Sequence, residues 1–309
     1  MLIFSDNSNL PNKFLGKGIE KIQDRKIVPS AIRTIRDQIF PTKKIFSFEF
    51  KDIDYWQYLF LTENAISSQF DLLIKLNSGK LNLPNGIICI AEKGSGFHGF
   101  RKRGWDSRYG NLHLSISFIP VETFDNFHAA LLIASAVSIL ETIDSIPRLY
   151  GKASAKWVND ITIEDSKVGG IITQTSSTGN RITSAFVGIG LNVLSKPVII
   201  PDIFTPKASC LQDFTNLSTL NLSEILLMFL KKLANNIKKI NSTGYSELHR
   251  KYCERSSVIG KQVELHSDPV DGKGKMILSD KIVAINENLE LVFENNPKLV
   301  RSGRLKIVE

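Results

Sequence analysis

Cysteine is scarce in this chain of 309 residues: Cys89, Cys210 and Cys253 stand singly, with no CxxC spacing. That excludes a disulfide framework and a cysteine zinc site, and it implies reduced thiols. Histidine is also thin, at five residues. His98 has no second His, Asp or Cys at ligand spacing, so no protein metal site is expected. Long apolar runs are missing. The longest, Ala129 to Leu140, is interrupted by Ser135 and Ser138 and is too short to cross a bilayer, so it reads as a buried helix. The N-terminus has Asp6, Asn7, Ser8 and Asn9 where a signal peptide needs an apolar segment, which points to the cytoplasm.

The composition suits an enzyme-sized core: 42% of residues are hydrophobic, and the length suggests two domains. The net charge of +8 is uneven, with nine Lys or Arg against three Asp or Glu between Pro11 and Lys44. Residues 1–44 read as a basic arm with one helix, Ser30 to Phe40, packed on or trailing from the rest of the chain. No helix-turn-helix repetition or wing supports DNA binding. Residues 45–255 alternate strand-like and helix-like patterns, including IFSFEF, GIICIA, HLSISF, a helix over 127–143 and a helix from Ser223, whose hydroxyl can cap it. Residues 256–309 turn to short strands separated by DPVDG, NEN and NNP turns, as in a small barrel.

The most informative stretch runs from Lys156 to Val193. Ile161 to Ile163 and Val168 to Ile172 flank Glu164, Asp165 and Ser166, the pattern of a β-hairpin with a short polar turn. Lys156, Asn159, Asp160 and Lys167 then fall at strand ends. Gly169 and Gly170 remove side chains where something comes close to the backbone, and Gly188 and Gly190 repeat the device. A flat ligand fits between such strands.

This stretch resembles the biotin protein ligases, whose fingerprint is KWPND, a Lys seven residues past the Asp, a Gly-rich strand and a GxGxN strand. Lys156, Trp157, Asn159, Asp160, Lys167, Gly188, Gly190 and Asn192 match, with Val158 in place of Pro. Upstream, Trp105, Ser107, Gly110, Asn111, Leu112 and Ser115 match the family's WxSPxGNLxxS segment. The preceding GRGRRGR loop is altered. In SGFHGFRKR, Gly99, Arg101 and Arg103 align, while Phe97, His98, Phe100 and Lys102 replace Gly, Arg, Arg and Gly. The family's DSTN is LTEN, Leu61 to Asn64.

The resemblance implies an α+β fold, a mixed-sheet class II synthetase-like catalytic domain of biotin/lipoate ligase type followed by an SH3-like β-barrel. It implies ATP, biotin and Mg²⁺, formation of biotinyl-5′-AMP, and transfer of biotin to a lysine of a biotin carboxyl carrier domain. Monomer and homodimer both stay open. Lys167 is the expected stabiliser of charge at the α-phosphate, with Asp160 facing nucleotide and Mg²⁺ and Arg101 gripping phosphate. Thr62, Asn64, Ser95, His98, Gly99, Arg103, Trp105, Gly110, Asn111, Lys156, Asn159, Gly169, Gly170, Gly188, Gly190 and Asn192 are the expected binding residues. The Gly99–Arg103 loop is expected to act as a lid. Taken singly, Lys167 reads as a solvated charge, Trp105 as packing and residues 101–103 as a solvated run; their register carries the functional reading. Two alternatives remain: a lipoate or octanoate ligase or transferase, whose RRxxGG loop is similar to FRKRGWDSRYGN, and a non-catalytic ligand-binding homologue.

Overall fold

The computed structural model describes residues 1–23, 28–79, 81–122, 126–179, 181–205, 207–240, 244–268 and 274–308. In chain order the elements are β1 (Leu2–Ser5), α1 (Leu10–Leu15), β2 (Ile19–Ile22), α2 (Ser30–Ile39), β3 (Phe46–Phe50), β4 (Tyr58–Ala65), α3 (Gln69–Ser78), β5 (Ile87–Gly94), β6 (Leu112–Phe118) and α4 (Phe127–Asp144). Next come β7 (Ala153–Lys156), β8 (Asp160–Ile163), β9 (Ser166–Thr178), β10 (Arg181–Leu191), α5 (Leu222–Lys238), α6 (Tyr245–Glu254), β11 (Gln262–His266), β12 (Met276–Ile285), β13 (Leu291–Phe293) and β14 (Arg304–Val308). Ten strands form one mixed sheet in the order β2-β3-β1-β4-β5-β6-β10-β9-β8-β7. Among the described strands, only β1 with β4 and β4 with β5 pair in parallel.

Side chains alternate across a strand, and here both faces are apolar. Ile3, Leu59, Leu61, Ile88, Ile90, Val187 and Ile189 enter a core shared with α1, α4 and α5. Their neighbours Phe4, Phe60, Ile87, Cys89 and Phe186 enter a second core under α2 and α3. Helices therefore cover both faces. On the second face β10 continues past Phe186 as Gly188 and Gly190, and there the covering gives out into a groove.

Helix α4 extends the apolar run at both ends, to eighteen residues. By length and composition it is sufficient to span a membrane, but 78% of it is buried inside the protein. Its polar residues are satisfied locally: Ser135, Ser138 and Thr142 donate to the carbonyls of Leu131, Ala134 and Ser138 at 2.8, 2.6 and 2.7 Å. Helix α5 begins one residue before Ser223, and its cap is Asn221, whose side chain accepts from the backbone of Ser223 and Glu224. The expected Ser223 cap gives way because Asn221 reaches both free N–H groups from outside the helix.

The expected arm does not stand apart from the large sheet. Its β1 lies between β3 and β4 as an interior strand, and Ile3, Phe14 and Ile32 are fully buried. Net charge hid this because, among the described residues, Lys13, Lys17, Lys21 and Arg33 are exposed while Leu10, Phe14, Ile32 and Ile35 are buried. At the other end of the chain, the four strands form an open sheet, β13-β12-β11-β14, where a closed barrel is expected. Residues 269–272 of the DPVDG turn lie outside the described residues. Trp157 fastens this sheet to the large one, its indole N–H donating to the Leu289 carbonyl at 2.8 Å.

Candidate active site

The site is built where β10, β9 and β6 meet. Gly190 pairs with Gly170 on one side and with His113 on the other. Trp105 lies across both glycines: a Cβ on Gly170 would come within 3.3 Å of the ring, and one on Gly190 would overlap it. Gly188 is the corresponding gap beneath Ile172 and Phe70. The glycines are thus a floor on which an indole and flat ligand atoms can rest against backbone.

Lys167 reaches this floor from the β8–β9 hairpin. Its two-residue turn, Glu164 and Asp165, has positive φ at both positions, matching the twist of the strands. The Lys167 ammonium lies 2.6 Å from Asp160 Oδ1 and 5.7 Å from the Trp105 ring centroid, half-buried. Lys156 donates to the Phe204 carbonyl at 2.6 Å. Burial pulls its ammonium below the ordinary lysine range, opposed by the nearby Asp160 carboxylate. Asn159 donates to the Ile171 carbonyl at 2.6 Å, and the Trp157–Val158 peptide beside it is cis.

Two cavities share this wall. A narrow one of about 90 Å³ runs from Trp105 over Gly188 to Phe70, bounded by Phe97 and by His113 and Ser115 of β6. A wider one of about 550 Å³ opens on the other side, between Lys156, Asn192, the 197–205 segment and residues 301–305 of the C-terminal sheet. Trp105, Arg103, Asn159, Asp160 and Lys167 line both.

The loop above them is a small closed hairpin. Gly99 and Trp105 donate to the carbonyls of Arg103 and Phe97 at 2.7 and 2.9 Å, and Arg101 and Lys102 take left-handed φ at its tip. His98 and Lys102 contact Asp71 of α3 at 2.8 and 2.9 Å. Although desolvation opposes ionisation, these hydrogen bonds hold the Asp71 carboxyl below its usual range. Arg103 and Arg101 lie 2.9 and 3.6 Å from Asp268 of the C-terminal segment.

Of the expected site residues, Lys156, Asn159, Asp160, Lys167, Gly170, Gly188, Gly190, Asn192, Trp105, Arg103, His98 and Gly99 line one cavity or the other. Thr62, Asn64, Ser95, Arg101, Gly110, Asn111 and Gly169 line neither. Thr62 instead donates to Asp6 at 2.7 Å, and Ser95 donates to the Ile66 carbonyl at 3.0 Å. Asn64 is exposed at the end of β4, its carbonyl turned toward the Thr62 hydroxyl. Asn111 accepts from the backbone of Val193 and Ser195 and donates to the Ser195 carbonyl, fixing the chain after β10. Gly110 turns at φ +82 with Leu194 against it, and Gly169 packs against the Gly190 carbonyl. Arg101 points toward Asp268. The sequence reading omitted His113, Phe204 and Arg301–Leu305. Arg304 stacks 4.0 Å over Phe204 and pairs with Asp202 at 2.7 Å, a contact joining residues too distant in sequence for any local pattern to signal.

Residues 65–192 match the family model for the biotin/lipoate A/B protein ligase family. Over 122 residues the chain is 31% identical to the bifunctional ligase/repressor BirA of Bacillus subtilis, covering 39% of this chain and 37% of that protein. The chain thus spans little over a third of that relative's length. It is 25% identical over 222 residues to the biotin–[acetyl-CoA-carboxylase] ligase of Paracoccus denitrificans, covering 65% of this chain and 89% of the other. Among solved structures, the Aquifex aeolicus biotin protein ligase in complex with biotin and ATP superposes with a TM-score of 0.62 at 25% identity, over 82% of this chain and 99% of that one. The strands that carry Lys167, Gly170, Gly188, Gly190 and Trp105's seat all fall inside the segment that matches the biotin/lipoate A/B protein ligase family, and the fold of the chain is similar to that of the biotin protein ligases.

Proposed function

We propose that the chain is an ATP-dependent biotin protein ligase that makes biotinyl-5′-AMP and passes biotin to a lysine of a biotin carboxyl carrier domain. The observation that carries this reading is the position of Lys167, its ammonium on the wall that the two cavities share. The narrow cavity, with Phe70, Ile172 and glycine backbone around it, suits an acyl chain and its ring. The wider one has Arg103, Lys156, Lys167, Arg301 and Arg304 against three carboxylates, which suits a triphosphate.

In the first step a biotin carboxylate oxygen attacks the α-phosphorus, a P–O bond forms, and the bond to pyrophosphate breaks. Negative charge gathers on the α-phosphate, where a fixed ammonium stabilises the transition state more than the ground state. Asp160 holds that ammonium in place. In the second step a deprotonated lysine amine attacks the anhydride carbonyl and AMP leaves. Mg²⁺ bound with ATP would neutralise phosphate charge, and Asp160 would offer it a hard oxygen; among the described residues no group of three or more His, Cys, Asp or Glu is placed to hold an ion alone. The C-terminal sheet closes one side of the nucleotide cavity and takes the place of the family's SH3-like domain.

The test is incubation with Mg-ATP and labelled biotin or lipoate, followed by addition of a carrier domain. Biotinyl-AMP that then labels the carrier is the expected product; lipoyl-AMP alone would transfer the reading to the lipoate branch, and ligand binding with no adenylate would mark a non-catalytic homologue.

A further inference from the structure

His113 is a buried polar group that the proposed chemistry leaves without work. It stands on β6 beside Gly190, is 1% exposed, and lines the narrow cavity. Its Nε2 lies 3.2 Å from the Arg108 carbonyl. A carbonyl only accepts, so Nε2 carries the proton, and Nδ1 of the neutral ring is left as an acceptor. That Nδ1 is buried and has no hydrogen-bond partner. Buried polar atoms are rarely left unpaired, because desolvation without a partner is costly.

We propose that His113 is a specificity residue whose Nδ1 accepts a hydrogen bond from an N–H of the bound acid's head group, selecting a cyclic urea over a dithiolane or a plain alkyl chain. The geometry agrees. His113 lies two strand positions from Gly170, about 10 Å across the sheet, and Lys167 sits beside Gly170. An acid whose carboxylate meets Lys167 therefore carries its far end toward His113. A urea ring offers N–H donors there, whereas lipoyl and octanoyl groups offer none. Phe97, its ring centroid 5.8 Å from that of His113, closes the apolar side of the same subsite.

This inference rests on the proposed acyl-adenylate chemistry, so its test separates the two. Adenylate formation is measured with biotin and with lipoate for the wild type, His113→Phe, which keeps a ring without the acceptor, and His113→Asn, which can return an oxygen near Nδ1. Circular dichroism establishes that each variant is folded. The expected result is a fall of about fivefold to tenfold in the biotin-to-lipoate ratio of kcat/KM for His113→Phe, partly restored in His113→Asn. A ratio unchanged within about twofold in folded His113→Phe, with wild-type biotinyl-AMP intact, overturns the role of His113 alone. Wild-type protein that prefers lipoate or octanoate overturns both this assignment and the biotin reading. If His113→Phe does not fold, direct titration of the wild type decides. Biotin binding much tighter than that of an analogue methylated on the urea nitrogens supports the hydrogen bond, and equal binding removes it.

Discussion

Gly190 makes room by having no side chain, and Trp105 uses that room. A methyl group there would overlap the indole. Overpacking of this kind typically costs about 1–3 kcal/mol. Gly190→Ala is therefore expected to lose stability of that order in denaturant titrations. In a Trp105→Ala background most of the penalty should vanish, because the clash has no second party; an equal loss in both backgrounds would place the strain elsewhere. His113 gives a second prediction at this scale. Burial, opposed by the Arg108 carbonyl and the Asp106 carboxylate, pulls its imidazole down to about 4. Between that value and the unfolded value of about 6.5, the unfolded chain binds a proton that the native state refuses, so stability rises with pH across the window and falls on acidification. From pH 7 to pH 5 the loss from this group is about 2 kcal/mol, and His113→Phe should remove it. A wild type and variant with the same pH slope would contradict the assignment. Most of the residues that line the site and were legible in the sequence, Lys156, Asn159, Asp160, Lys167, Gly170, Gly188 and Gly190, lie on the four consecutive strands β7 to β10 or the turn between β7 and β8. Thr62 and Asn111 line neither cavity, and their partners, Asp6 and Val193–Ser195, lie far along the chain and leave no local trace in the sequence.

At the scale of elements, the 97–105 hairpin borders both cavities. It is tied to α3 through Asp71 and to the C-terminal segment through Asp268. Pairs as exposed as Lys102 with Asp71 contribute little, generally under about 1 kcal/mol, so this tether would let the loop release and close as the lid reading requires. Hydrogen exchange over 97–103 is expected to slow when biotin and ATP bind and to quicken in Asp71→Asn without ligand. Exchange that ignores both changes would show that the loop is neither a lid nor tethered. Phe100, exposed at the loop's edge and facing both cavities, stands where the family has an arginine. Phe100→Arg is expected to retain the adenylate longer by about tenfold, read as less stray labelling of a lysine-rich bystander protein. Element types were readable from periodicity, as in the β8–β9 hairpin and α4. The interior placement of β1 was not, since four residues of strand inside a basic segment carry too little pattern to compete with its charge.

For the molecule as a whole, the wider cavity, assigned above to the nucleotide, is a composite of the large sheet and the C-terminal sheet. Trp157 with Leu289 and Arg304 with Asp202 and Phe204 hold the two together. Arg304→Ala is expected to raise the KM for ATP several-fold while leaving biotin affinity nearly constant, since Arg304 lines the wide cavity and not the narrow one. Equal effects on both substrates would mean that the C-terminal sheet acts on the whole site and not on its nucleotide half. Such long-range closure was beyond the reach of the sequence, which marked the C-terminal strands but not the surface they complete. The central claim is that Lys167 stabilises charge where the two cavities meet, and its most direct measurement is the single-turnover rate of biotinyl-AMP formation in wild type and Lys167→Ala, both folded and at saturating substrates. The predicted result is a loss of about 10²–10³ in that rate with biotin binding retained; adenylate formed by Lys167→Ala at the wild-type rate would contradict it.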